Sequence, residues 1–433
     1  MKFSQFNIFQ EYEGQVLIYN SFQDTFLVVE LFLYEMVKIA MNNNEPLEIK
    51  EFHEEFYNAM VENGMIISIE INEISQVEER MLQINEDRNS YRLIVNPTMN
   101  CNFKCWYCYE THIKDSKMGI DNVEKTQKFV HKLIEHNKDL QHLRISFFGG
   151  EPLLYFKNSV LPLLVYAHEV CKESNIQFNS DFTTNGYLIN DEMINYFRIY
   201  NIDSFQITLD GSEEYHNKVR FVNSKKGSYK KIMENVKKLI SNSFHVSLRI
   251  NFTKENIDSI DKIIFDIEKS IPIESRQNFT ISLQKVWQDE TEDYRKKINN
   301  YRIIMKNLGF QVTHSKTGDA ITYSCYADRR NQATINYNGD VFKCTARDFT
   351  PQNREGILDD DGNINWNYRH DQRFESRLKN PPCLVCSILP ICGGGCSQKA
   401  LENLGKEYCV NDFDDDKKKA IVFDRFLGVL ESI

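Results

Sequence analysis

The chain has 433 residues, 41% of them hydrophobic and 26% charged, the make-up of a soluble globular protein with room for two or three domains. A formal net charge of −10 speaks against generic binding to nucleic-acid phosphates, and no apolar run approaches the roughly 18–20 residues of a membrane-crossing helix. Eleven cysteines, behind an N-terminus ("MKFSQFNIFQEYEG") without the pattern of a secretory signal, point to metal chemistry in the cytoplasm rather than to disulfides.

Residues 1–90 read as a separate unit. "GQVLIYNSFQDTFLVVE" predicts two strands joined by the polar turn "NSFQD". "ELFLYEMVKIAMNN" and "IKEFHEEFYNAMVENG" carry apolar residues at helical spacing and end at Asn or Gly, and "GMIISIEI" predicts a short strand. That order suits a small winged-helix-like domain. Such a unit can take up a peptide by adding a strand to its edge, or it can serve only as a cap on the next domain.

Between residues 91 and 310 short β-rich runs alternate with amphipathic helices six times: "YRLIVNP", "LRISFFGG", "IQFNSDFTTNG", "SFQITLDG", "HVSLRINFT" and "FTISLQKV". Strands alternating with helices imply parallel strands and right-handed crossovers, so an α/β fold with a partial (β/α)6 TIM-like barrel is expected. Polar and glycine motifs fall just after these strands, where such sheets place their chemistry. Residues 311–433 lack long periodic elements until the closing helix "KKKAIVFDRFLGVLE", and hold seven of the eleven cysteines. A region with little apolar surface to bury can be ordered by metal instead.

The stretch "CNFKCWYCYE" sets Cys101, Cys105 and Cys108 in the loop after the first barrel strand. A structural zinc site wants four ligands, usually as two pairs. Three thiolates can instead hold three irons of a cubane and leave the fourth iron open. Phe103, Trp106 and Tyr107 lie between the cysteines, where they would shield a cluster from water. Cys-x3-Cys-x2-Cys at this place resembles the radical S-adenosylmethionine (SAM) enzymes. The resemblance implies that the open iron binds the amino and carboxylate groups of SAM, which is then cleaved to a 5′-deoxyadenosyl radical. On the same resemblance, Tyr107 and "GGEP" (Gly149, Gly150, Glu151, Pro152) would receive the cofactor, with Glu151 complementing its ammonium. Thr184 and Asn185 of "TTNG", and Arg249 and Asn251 of "LRINFT", would complete its site. Asp210, Gly211, His216 and Arg220 match a further family stretch, or else merely fasten a loop.

The later cysteines, "CYADRRNQATINYNGDVFKC" and "CLVCSILPICGGGC" with Cys409 beyond, resemble the SPASM extension of the same enzymes. That resemblance implies two auxiliary 4Fe–4S clusters, three clusters in all. Cys383, Cys386, Cys392 and Cys409 would hold the distal one, and Cys325, Cys344 and Cys396 the inner one. No eighth cysteine follows Cys325, so an open iron, a residue such as Tyr326 or Asp328, or the substrate would finish the inner cluster. The other reading of these spacings is a pair of zinc knuckles. Cys171 fits neither pattern and reads as core filler.

The extra N-terminal unit and the missing cysteine favour a maturase that crosslinks a ribosomally made precursor peptide, through a thioether or carbon–carbon bond. Its partners would be a precursor with a leader and an external electron donor such as flavodoxin or ferredoxin, with neither nucleic acid nor membrane. The alternatives are an anaerobic sulfatase-maturating enzyme that makes formylglycine and, from another class, a non-catalytic iron–sulfur electron carrier. No catalytic acid or base stands out; Gln284, Lys285 and Gln288 on the sixth strand are placed to face the cavity.

Overall fold

The structure is a computed structural model that describes residues 1–223, 226–289, 294–313 and 324–430. Two compact units emerge. The first gathers Met1–Asp87 with a stretch ending at Arg330 and the chain from Arg369 onward; the second starts at Arg88 and takes in Asn331–Tyr368.

In the first unit, strands β1 (Asn7–Tyr12), β2 (Gln15–Asn20) and β3 (Thr25–Val29) form an antiparallel sheet. Glu13 and Gly14 join β1 to β2 with φ of 48° and 81°, both left-handed, as a two-residue hairpin requires. Helices α1 (Leu31–Asn43), α2 (Leu47–Phe52), α3 (Glu54–Glu62) and α4 (Glu73–Asn85) follow. The sequence reading missed β1, whose "NIFQEY" alternates only in part, and "GMIISIEI" supplies only Ile66–Ile67, paired with Lys2–Phe3. Val16 and Ile18 of β2 pack with Val37, Ala40, Phe56 and Met60 of the helices.

The second unit begins with β4 (Ser90–Asn96) and continues through α5 (Ile120–His136), β5 (His142–Phe147), α6 (Leu161–Glu173), β6 (Gln177–Thr184) and α7 (Asp191–Ile199). Then come β7 (Ile202–Asp210), α8 (Glu213–Val219), α9 (Tyr229–Ser241), β8 (His245–Phe252), α10 (Ile260–Ser270), β9 (Phe279–Lys285), α11 (Arg295–Asn307) and β10 (Gln311–Thr313). All six predicted barrel strands are present, parallel and in sequential order. Alternate residues point to opposite faces of a strand. Leu93, Val95, Leu143, Ile145, Phe147, Phe182, Phe205 and Ile207 are buried in the apolar core, where the rings of Phe147, Phe182 and Phe205 stack. The intervening positions carry Arg92, Arg144, Ser146, Asp181, Asp210, Arg249 and Asn251. A closed barrel fills that face with Val, Ile and Leu; here it is polar, as a ligand-holding interior needs.

Of the described residues after 313, those up to Arg330 and those from Arg369 onward fall in the first unit, and Asn331–Tyr368 fall in the second. Strand β11 (Gln332–Asn336) pairs in parallel with β4, from Gln332↔Arg92 to Asn336↔Asn96. Strands β12 (Asp340–Phe342), β13 (Gly356–Leu358) and β14 (Ile364–Trp366) continue that sheet to eleven strands. Ala333 and Ile335 are fully buried in the barrel core, which is why this piece stays with the barrel. From α12 (Tyr368–Ser376) onward the chain runs through α13 (Pro381–Leu384), α14 (Leu389–Cys392), α15 (Ser397–Glu402) and α16 (Asp415–Leu430). Ile388 and Ile391 pack with Ile8, Tyr19 and Val422, so the last segment shares its core with the N-terminal strands.

Candidate active site and cluster-binding cysteines

The three-cysteine loop leaves β4 at the C-terminal edge of the sheet. Thr98 and Met99 tie it to Ser116: Thr98 Oγ1 donates to the Ser116 carbonyl at 2.5 Å and the Met99 N–H to Ser116 Oγ at 3.0 Å. The "GGEP" segment lies against the same loop. Gly150 N–H donates to the Thr98 carbonyl at 3.1 Å and Glu151 N–H to the Asn100 carbonyl at 2.9 Å. A Cβ on Gly149, whose φ is +86°, would stand 2.6 Å from the Thr98 oxygen. One on Gly150 would strike the Asn100 carbonyl, so both glycines are demanded by the close approach of two backbones.

Glu151 is fully buried. Its carboxylate accepts from Thr184 Oγ1 at 2.7 Å, Asn185 N–H at 2.8 Å and Leu153 N–H at 3.1 Å. These bonds join "GGEP" to "TTNG", so Glu151 is a tie between the two motifs. Asn185 Nδ2 donates to Asn102 Oδ1 at 2.8 Å and stands 3.9 Å from Cys101 Sγ.

Across the mouth, Tyr107 OH donates to Asp210 Oδ2 at 2.5 Å and accepts from Arg220 Nη1 at 2.9 Å. Burial pushes the Tyr107 pKa up against the pull of Arg220, so the phenol keeps its proton. Burial also raises the Asp210 carboxyl, with Arg220 and Tyr107 opposing. Below them His216 Nδ1 accepts from the Asp210 N–H at 3.2 Å, and its Nε2 stands 2.9 Å from Ser228 Oγ. Ser228 Oγ donates onward to the Arg220 carbonyl at 2.7 Å, which leaves Nε2–H as the donor to Ser228. Burial, reinforced by Arg220, holds His216 neutral, its pKa well below 6.5. His216 therefore fastens the loop that presents Asp210 and Arg220.

Asp210, Asn251 and Gln284 are register partners on neighbouring strands. Arg249 Nε donates to Asn251 Oδ1 at 2.9 Å. Gln284 bonds Ser282 Oγ at 2.6 Å, Lys285 lies 5.7 Å over the Tyr294 ring, and Gln288 donates to the Tyr107 carbonyl at 2.9 Å. Phe103 is buried, whereas Trp106 is 56% exposed and does not shield the loop. Sequence reasoning also missed Trp287, which stacks on Tyr109 at 5.2 Å, and Asp348, which accepts from Thr111. Neither belongs to a motif.

The residues present fit the groups that the sequence pattern implies. Among the described residues Arg220 Nε is buried without a hydrogen-bond partner, a guanidinium edge open to a polar ligand, while the Asp210 carboxylate is engaged by Tyr107 and Asn251. All eleven cysteines are free thiols. The Phe103 N–H points at Cys101 Sγ at 3.4 Å, as amides around cluster sulfurs do. Burial pushes the Cys101 thiol up to about 12 and Cys108 to about 11, so iron must displace their protons. In the first unit Cys383, Cys386, Cys392 and Cys409 line one small cavity of about 40 Å³. Asn380 Nδ2 donates to Cys383 Sγ at 3.1 Å and Asn411 N–H to Cys409 Sγ at 3.4 Å. Cys325 and Cys396 belong to the first unit; Cys344, whose Sγ accepts from the Ala346 N–H at 3.3 Å, belongs to the second. Asp328 is buried and paired with Arg377. Among the described residues no three His, Cys, Asp or Glu side chains converge on one point as ligands of a single ion. Thiolates that each take a separate iron have no need to.

Three thiols on the loop after the first strand, glycines that admit a second backbone and a polar barrel face gather at one end of the sheet. Residues 95–267 match the Radical SAM superfamily, so the chain carries a radical SAM domain. It is similar to the radical SAM cyclopropyl synthase TigE of Paramaledivibacter caminithermalis, with 23% identity over 391 residues, 81% of this chain and 76% of that one. It is also similar to the cysteine-type anaerobic sulfatase-maturating enzyme of Clostridium novyi, with 28% identity over 40% of this chain and 47% of that protein. Streptococcus suis SuiB shares the fold with a TM-score of 0.53 at 15% identity, covering 94% of this chain and 98% of its own. A tagged form of anSMEcpe, solved with bound AdoMet, has a TM-score of 0.58 at 16% identity and covers 79% of this chain and 98% of its own. No described helix is long and apolar enough to cross a membrane.

Proposed function

We propose that this enzyme matures a ribosomally made precursor peptide by forming a thioether or carbon–carbon crosslink. The observation that carries the reading is coverage. SuiB, also solved bound to a precursor peptide, matches 94% of this chain, while anSMEcpe leaves 21% unmatched, about the length of the N-terminal unit. The radical SAM cyclopropyl synthase adds a relative named for making a cyclopropyl group, a ring of carbon–carbon bonds. When bound and reduced by the first cluster, SAM supplies a 5′-deoxyadenosyl radical that removes a hydrogen from the peptide. Cys101, Cys105 and Cys108 would hold that cluster. The backbone of Gly149–Pro152, with Tyr107, Thr184, Asn185, Arg249 and Asn251, would orient the cofactor, and Arg220 would offer it an open donor. Cys383, Cys386, Cys392 and Cys409 would hold a distal auxiliary cluster; Cys325, Cys344 and Cys396 would hold the inner one, on the sequence pattern alone. The N-terminal unit would bind the leader, and flavodoxin or ferredoxin would supply electrons in the cytoplasm.

The test is anaerobic incubation with SAM, dithionite and candidate precursors drawn from any short reading frames that neighbour the gene. The expected result is 5′-deoxyadenosine together with a peptide lighter by two hydrogens. An unchanged peptide, with formylglycine formed on a sulfatase-derived cysteine peptide instead, overturns the reading in favour of a sulfatase maturase. Replacing Cys101, Cys105 and Cys108 by Ala is expected to abolish deoxyadenosine formation and to remove about four irons of roughly twelve.

A further inference from the structure

The cavity lined by Cys383, Cys386, Cys392 and Cys409 is otherwise walled by apolar and neutral groups such as Ile388, Leu389, Tyr408 and Phe413. One lining residue carries a charge: Lys418, in the first turn of α16. Its side chain is only 20% exposed, and Nζ stands 2.8 Å from Asp415 Oδ1. Asp415 is 80% exposed, so water screens the carboxylate more than it screens the ammonium on the cavity wall. Two other nearby cations are already paired, although Arg377 still acts on Cys383. Arg377 is bonded to Asp328 and the Gly393 carbonyl, and Lys417 pairs with Asp412 at the surface. Two neutral donors complete the wall, Asn380 Nδ2 at Cys383 and the Asn411 N–H at Cys409.

The geometry points to Lys418 as the residue that sets the reduction potential of the distal cluster, an inference that rests on the four-cysteine ligand set proposed above. A 4Fe–4S cluster that accepts one electron gains one negative charge, with no bond made or broken. An ammonium on the cavity wall attracts the reduced form more than the oxidised form, and donors to the cysteine sulfurs act in the same direction. Lys418 therefore raises the potential of the distal cluster. No cysteine motif contains Lys418; it reaches the cavity only because α16 folds back past Cys409.

The test is a dithionite titration followed by electron paramagnetic resonance, on the full chain with Cys101, Cys105 and Cys108 replaced by Ala. The distal signal is assigned as the one lost on Cys383→Ala. Lys418→Met is expected to lower the reduced-to-oxidised ratio at fixed potential about tenfold, a shift of about 59 mV for one electron. Lys418→Arg is expected to stay near the parent value, and Asp415→Asn, which frees the ammonium, to move the potential upward. A Lys418→Met protein with full iron content and an unmoved potential overturns the assignment. So does an equal shift in Lys418→Met and Lys418→Arg, which would make packing rather than charge the cause. A parent protein without a Cys383-dependent cluster overturns the ligand set together with the inference, and iron analysis tells that failure from the others.

Discussion

Gly150 shows how a single missing side chain builds the site. Its backbone must lie against the Asn100 carbonyl for the cysteine loop and the "GGEP" segment to share one surface. Gly150→Ala is therefore expected to lower 5′-deoxyadenosine formation at least about tenfold, or about 1.4 kcal/mol of barrier. Gly119→Ala, where an added Cβ meets nothing within 4 Å, is expected to stay within about twofold. His216 makes a second prediction at this scale. Its folded pKa lies well below 6.5, so above pH 6.5 it is neutral in both folded and unfolded chains and costs nothing. Below 6.5 the unfolded chain binds the extra proton, and stability falls as pH falls, by up to about 1.4 kcal/mol per pH unit from this one group. Melting temperatures of wild type and His216→Gln, compared between pH 7.5 and 5.5 (roughly one unit either side of the ordinary histidine pKa), check it. The variant is expected to start lower and to show the shallower slope. At this scale the sequence was partly legible. The cysteines and glycines stood out because their chemistry depends on spacing of a few residues. The ties of Glu151 and of Tyr107 to Asp210 did not, because their partners are 33 and 103 residues away.

Among the elements, α16 is the one whose role the sequence concealed. Its periodicity marks a closing helix but not what it docks on. In the structure Arg425 clasps Asp24 with Nε and Nη2, each at 2.5 Å, and Asp24 also accepts from Tyr19 OH at 2.8 Å. Asp24 occupies the turn between β2 and β3 at φ 59°, so the clasp joins the last helix to the second hairpin. Burial acts to raise the Asp24 carboxyl, yet its bonds to Arg425 and Tyr19 hold it below 3.8. The clasp thus stabilises above pH 3.8 and is lost as pH falls through the lower folded value. Both partners are partly exposed, so Arg425→Met is expected to cost about 1–2 kcal/mol at pH 7. Amide exchange confined to Asp415–Leu430 is expected to speed up about tenfold, and uniform acceleration across the chain would contradict a local clasp.

For the whole molecule, the division of the chain carries the strongest consequence. A reading by blocks places leader recognition in residues 1–90 and the auxiliary clusters in residues 311–433, as if either were removable. Instead Ile8 and Tyr19 pack with Ile388, Ile391 and Val422, and Phe6 and Val77 pack with Leu389, with Cys383, Cys386 and Cys392 at the margins of these cores. Deleting Met1–Asp87 is therefore expected to cost about four irons of roughly twelve as well as any grip on the precursor. Deoxyadenosine formation at the first cluster is expected to survive, since the cores of the barrel lie in the other unit. Iron analysis of the truncated chain decides the point; full retention would make the two segments independent.

By itself the sequence determined the six-strand barrel, the three-cysteine loop and the motifs at the strand ends. Each of these is written in local currency: a period of two in a strand, a period near 3.6 in a helix, or a short cysteine spacing. Tertiary structure alone decided that residues 331–368 extend the barrel sheet, that the last 65 residues share a core with the first 87, and that Lys418 faces four cysteines. These facts depend on which apolar surfaces find each other across hundreds of residues, and burial is non-directional: it leaves no spacing in the chain to read.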